Sequence, residues 1–186
     1  LFLYSVAHKR ICHMNKLCIF LFLTVLIGRD LNESLQIAGS NRIEIKKAMS
    51  SVPLDQYKGM QWLITHMPTE DLAKVKAEFL VLNSNIAHQA RKDTKWGQEI
   101  PEDLFFSYVL PYANLNETVE NWRLDFFKKF YPMVKNMPSA YDAVAFLNQK
   151  IFDELGVIYS TKRPKADQSP YESIDAGMAS CTGLSI

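Results

Sequence analysis

The residue best suited to chemistry is Cys181, set in a run of small neighbours, Gly177-Met178-Ala179-Ser180-Cys181-Thr182-Gly183. The chain has three cysteines, and the other two, Cys12 and Cys18, fall in the first 28 residues, Cys18 within an expected N-terminal leader. A thiol left unpaired in an exported protein has no disulfide role within its own chain, which makes it a candidate reactive group. An ordinary thiol is mostly protonated at neutral pH, whereas the orphan N–H groups at the start of a helix favour the thiolate. Small neighbours let a substrate backbone come close. The same N–H groups could hold the oxyanion formed when a thiolate attacks an amide carbonyl. A free cysteine is equally at home as a small buried hydrophobe, and the residues alone leave that alternative open.

A nucleophilic thiol needs an imidazole partner. After the leader the only histidines are His66 and His88. Both fall on expected helices, where the simpler reading is a partly exposed helix residue. A zinc site built from Cys181, His66 and His88 lacks any close ligand spacing, so neither a metal nor a cofactor is expected. Trp122, Tyr108, Tyr112 and Tyr159 could line a substrate groove or donate to an oxyanion, although at helical and pre-proline positions such rings usually belong to the core. Arg123 and Glu117 are six residues apart and cannot face one another on one helix, so any pairing between them must be tertiary. Asn32-Glu33-Ser34 and Asn116-Glu117-Thr118 match a glycosylation acceptor pattern, but Asn116 serves better as a helix cap.

The elements that must position these residues are mainly helices. Asp55 to Thr94 reads as helical, divided at Pro68-Thr69. In its second piece Leu72, Val75, Phe79, Leu82 and Ile86 recur at spacings of 3, 4, 3 and 4, one face of a helix capped by Thr69. Lys74, Lys76, Glu78, Asn83 and Asn85 lie off that face and are expected in solvent. After a turn at Trp96-Gly97, Pro101 suits the first position of a short helix that must end before Pro111. Asn116 is the expected cap of a helix carrying Val119, Trp122, Phe126 and Phe130, which Pro132 ends. Ser139 opens another, with Val144, Leu147, Ile151 and Leu155 as its buried stripe and Gly156 as its stop. Val157-Ile158-Tyr159 reads as extended. Ser169-Pro170-Tyr171-Glu172 is a capping box with proline at the first helical position, so a short helix runs to about Ala176 and Gly177 terminates it. A further helix should begin near Ser180 or Cys181.

Met14 to Gly28 reads as a secretory signal. Lys16 precedes an apolar run from Leu17 to Ile27 that only Thr24 interrupts, within the roughly 7–15 residues of a signal core and short of the ~18 of a membrane span. Residues 1–13 begin with Leu1 and look like upstream translation. No Ala-x-Ala site follows the apolar run, so an uncleaved membrane anchor stays open alongside periplasmic or extracellular release. Residues 29–54 read as a leader-proximal linker and 55–186 as one domain. Four of the 21 basic side chains (Lys9, Arg10, Lys16 and Arg29) and none of the 20 acidic ones precede Asp30. The remainder is slightly acidic, with nothing to attract nucleic acid or an anionic membrane.

Ile100-Pro101-Glu102-Asp103, Tyr108-Val109-Leu110-Pro111-Tyr112, Asn116-Glu117, Trp122-Arg123, Asp167-Gln168-Ser169-Pro170 and Gly177-Met178-Ala179-Ser180-Cys181 together resemble, in that order, bacterial exported members of the transglutaminase-like superfamily. The resemblance covers about residues 55–186. It implies an α+β fold with a papain-like core, of which this chain supplies a predominantly α-helical part. It also implies that Cys181 is a nucleophile at the start of a central helix, acting on a peptide or protein amide substrate. In that family a His and an Asp follow on strands of a sheet, and this chain ends before them. The expectation is therefore the N-terminal portion of a cysteine hydrolase or acyltransferase, inactive as it stands, with apolar surface left uncovered. The competing expectation is a noncatalytic helical binding or scaffold domain. Ser180 departs from the family pattern, in which many relatives carry Arg or another large polar residue before the cysteine.

Overall fold

Apolar residues at helical spacing begin well before Asp55, and they fold. In a computed structural model that describes residues 29–113 and 117–180, α1 (Leu31–Ile37) and α2 (Arg42–Ser51) occupy most of the stretch expected as a linker. Asp30 caps α1 by accepting from the Glu33 N–H. Ile45 and Ala48 are fully buried, and the Arg29 N–H donates to the Thr65 carbonyl at 3.1 Å. Residues 29–54 are thus an integral part of the core. The apolar stripe Ile45, Ala48, Met49 was the sequence signal for it.

Next come α3 (Tyr57–His66), α4 (Thr69–Leu72) and α5 (Ala77–Asp93). The helix expected from Thr69 onward is two pieces, and Pro68 rather than Thr69 stands at the N-cap of the first. The chain turns between them, and Asn41 Nδ2 donates to the Leu72 and Val75 carbonyls, both at 2.9 Å. The Glu44 carboxylate accepts the first N–H of α5, from Ala77, at 2.9 Å. These side chains satisfy the backbone groups that the break leaves without helical partners. The apolar face survives the break, because Leu72, Val75, Phe79 and Ile86 are buried. Asn83, expected in solvent, is also inside, donating from Nδ2 to the Phe79 carbonyl at 2.9 Å.

Thr94 caps α6 (Lys95–Gln98). Pro101 then precedes α7 (Glu102–Leu104), which continues as a π-helical turn, Phe105–Val109, ending ahead of Pro111. Phe105, Leu110, Ile45, Met60, Ile64 and Leu80 are all fully buried and mark the centre of the core. Burying each such side chain is worth roughly 1.5–3 kcal/mol relative to exposure.

The second half is built on α8 (Trp122–Val134) and α9 (Ala140–Leu155). Asn116 lies outside the described residues. Asn121 stands at the N-cap of α8, Val119 precedes the helix, and Pro132 lies within its last turn without ending it. Ser139 caps α9 as expected and Gly156, at φ 66°, closes it. The expected stripe on α9 is only half covered: α9 packs on α8, Leu147, Ile151 and Leu155 are partly buried, and Val144 is 66% exposed. Tyr141, Ile158 and Tyr159 are exposed as well.

Strand β1 (Ile158–Tyr159) pairs in parallel with β2 (Met178–Ala179), Ile158 opposite Met178 and Tyr159 opposite Ala179. Helix α10 (Pro170–Ala176) forms the crossover between them. The described residues are thus predominantly helical with one two-stranded sheet. No helix among them is long and apolar enough to cross a membrane.

Candidate functional site

In the second half, the run that leads to Cys181 is braced by a helix cap, a strand pair and several side-chain bonds. Ser169 and Glu172 form a complete capping box with Pro170 in the first turn of α10, and Gly177, at φ 62°, ends the helix in the left-handed conformation. Only glycine adopts that conformation at little cost. The chain then enters β2, where β1 fixes its backbone: the Ile158 N–H donates to the Gly177 carbonyl at 3.2 Å, and the Ser160 N–H to the Ala179 carbonyl at 3.0 Å. Ala179 is fully buried and Ser180 nearly so. The Ser180 hydroxyl donates to the Ala166 carbonyl.

This run is tied to the approach to α8. The Glu172 carboxylate accepts from the Ser169 N–H at 2.8 Å, from Thr118 Oγ1 at 2.9 Å and from Lys165 Nζ at 2.8 Å. Partial burial alone would raise its pKa, but the Lys165 ammonium, the Ser169 N–H and the Thr118 hydroxyl together outweigh that and hold it below the ordinary carboxyl value. The Ser169 hydroxyl donates to the Glu120 carboxylate. Tyr171 donates to Asp125 on α8, a hydrogen bond that, with some burial, pushes the phenol pKa up to about 12. Gln168, 1% exposed, donates to the Glu172 carbonyl at 3.2 Å. The capping box was legible in the sequence. Its links to Thr118 and Glu120 were not, because they join residues 54 and 49 apart and carry no periodic signal.

Cys181, with the helix expected to begin beside it, lies outside the described residues, as does the leader at 14–28. His66 is exposed on α3, stacked on Trp62 with ring centroids 4.1 Å apart, and its Nδ1 bonds the Trp62 carbonyl at 2.7 Å. His88 is partly buried on α5; its Nδ1 lies 2.9 Å from the Ser84 carbonyl and its ring meets Phe105 edge-on at 4.9 Å. Burial is the main reason its pKa falls below the ordinary value. Both imidazoles therefore bond within their own helices. Among the described residues no group of three or more His, Cys, Asp or Glu side chains is arranged to hold a metal ion.

The four aromatic candidates separate. Tyr112 is core, 5% exposed, with its hydroxyl donating to Asp71 Oδ2 at 2.7 Å. Burial and that carboxylate push its pKa well up. Trp122 is half-buried, its Nε1–H donating to the Tyr112 carbonyl at 3.2 Å. Tyr108 and Tyr159, weighed above as core, are instead 79% and 60% exposed. Arg123 reaches back from α8 to the end of the π-turn. Its Nη1 donates to the Leu110 carbonyl at 3.2 Å and the Asn83 carbonyl at 3.4 Å, and its Nη2 donates to the Pro111 carbonyl. Burial lowers its pKa to about 10.

No protein-family model, curated protein or solved structure matches this chain.

Proposed function

We propose that the chain is the helical N-terminal portion of an exported transglutaminase-like cysteine enzyme, with a papain-like core and Cys181 as the nucleophile. The observation that carries this reading is the hydrogen-bonded run from Ser169 to Ser180. Capping box, left-handed glycine, strand pairing and buried Ser180 fix the backbone immediately before the cysteine, as a nucleophile held within a fraction of an ångström of its substrate requires. The order of blocks that resembles the family supports it further.

In this reading the Cys181 thiolate adds to an amide carbonyl, forming a C–S bond and an oxyanion held by backbone N–H groups. The C–N bond then breaks, and the departing amine takes its proton from an imidazolium. Water attacks the thioester to release a carboxylic acid, or an amine attacks it to form a new amide; either step restores the thiol. The imidazole and the carboxylate that orients it would come from the protein beyond Ile186.

The test is the full reading frame. Coding sequence beyond Ile186 is expected to supply a His followed by an Asp in strand-like surroundings. The full-length product is expected to cleave or transamidate peptide amides, and Cys181→Ser is expected to abolish the activity. A reading frame without such residues, or full activity in the Ser variant, removes the enzyme reading and leaves a noncatalytic helical domain.

A further inference from the structure

We propose that the groove between α5, the π-turn and α8 is a binding site for an aromatic carboxylate, with Arg123 holding the carboxylate. The proposal does not depend on the role of Cys181. The groove encloses about 630 Å³, a size within the few hundred to about 1,000 Å³ of small-molecule sites. Ile86, Tyr108, Trp122, Phe126, Phe127 and Leu147 supply its apolar surface, and Arg123 is its sole charged side chain among the described residues.

The state of that charge argues for the ligand. The Arg123 nitrogens donate to three backbone carbonyls, which are neutral acceptors. No carboxylate among the described residues forms an ion pair with it. A guanidinium has five N–H donors, so the three bonds leave it with spare capacity as well as an uncancelled charge. A partly buried cation in that state is held at a cost that a bound anion would offset. A single guanidinium with no second cation lining the groove among the described residues matches a planar, singly charged carboxylate better than a phosphate dianion. Its Cζ lies 5.5 Å from the Trp122 ring centroid, which sets the charge beside one aromatic wall of the groove. Apolar walls with one charged anchor select a flat apolar group joined to a carboxylate, found in a free aromatic acid or at the C-terminus of a peptide ending in Phe or Tyr.

Calorimetric titration of the full chain tests this with 3-phenylpropionate, N-acetyl-Gly-Phe and the amide N-acetyl-Gly-Phe-NH2. Saturable binding of at least one acid is expected, with the amide at least about tenfold weaker, or ~1.4 kcal/mol. Saturation by phenylpropionate alone assigns a free acid, and saturation by the peptide acid alone assigns a peptide terminus. Tyr108→Ala changes a side chain that is 79% exposed, so it should leave the fold intact while weakening binding several-fold. Equal affinity for acid and amide, no saturation by either acid at millimolar concentration, or unchanged affinity in the Tyr108 variant overturns the proposal.

Discussion

Ser169 and Glu172 bond each other twice: the Ser169 N–H donates to the Glu172 carboxylate at 2.8 Å, and the Glu172 N–H donates to Ser169 Oγ at 3.2 Å. Because Glu172 also accepts from Thr118 and Lys165, this reciprocal cap fastens α10 to the segment before α8. Ser169→Ala is expected to cost about 1 kcal/mol in chemical denaturation, as for other lost N-caps. The loss should be concentrated locally, as faster amide exchange over residues 170–177. Unchanged exchange there would mean that the cap does not hold the run leading to Cys181.

Much of this segment was legible because its signals are local. Ser169, Pro170, Glu172 and Gly177 lie within one helix and its caps, and Ser139 with Gly156 bracket α9 in the same way. Signals failed where a tertiary partner overrode them. Asn41, by capturing the carbonyls of Leu72 and Val75, breaks a helix whose apolar spacing runs on without interruption. Asn83 is inside although it lies off the apolar stripe, and its Nδ2 is satisfied locally by the Phe79 carbonyl of its own helix. Val144 sits at a helical period yet stays exposed, since periodicity says which face is apolar and not what covers it. The proposed site rests on a single residue, Cys181, which lies outside the described residues, and the ties that brace the residues before it became visible only in three dimensions.

His88 should make stability depend on pH. Burial is the first cause of its lowered pKa, Arg91 lowers it further, and the Ser84 carbonyl and Asp55 oppose the shift. The unfolded chain then binds a proton at a higher pH than the folded one does. Stability should be greatest above the ordinary histidine value of about 6.5, fall as the pH drops below it, and level off once the folded state also takes up the proton. Thermal melts between about pH 7 and pH 5 are expected to show this fall. His88→Gln, which keeps a donor for the Ser84 carbonyl, should reduce it. An equal pH dependence in both proteins would assign it to other groups.

Tyr112→Phe removes the hydroxyl that donates to Asp71, a residue 7% exposed. Leaving that buried carboxylate with one partner fewer is expected to cost about 1–3 kcal/mol. In the native protein, absorbance titration should show tyrosines that stay protonated where ordinary tyrosines ionise, near about pH 10, Tyr112 and Tyr171 among them, and the Phe variant should show one fewer.

Gly97 and Gly156 should respond differently to alanine. A Cβ at Gly97 would lie 2.8 Å from the Arg91 carbonyl and press on Thr94 Oγ1, the cap of α6. Overpacking of that kind is expected to cost about 1–3 kcal/mol. At Gly156 there is open space, and the cost is the left-handed backbone alone, about 1–2 kcal/mol. Denaturation midpoints should therefore fall in both variants, while increased amide exchange across α6 should appear only for Gly97→Ala.

The most direct test of the central claim is the reactivity of Cys181 in the native full chain. Alkylation with iodoacetamide across a pH series can be followed by mass spectrometry on the tryptic peptide 166–186, which contains Cys181 and neither of the other cysteines. An activated nucleophile is expected to label well below pH 8, with its inflection beneath the ordinary thiol value of about 8.5. Labelling that begins only on unfolding, or that follows an ordinary or raised thiol pKa, would contradict the account.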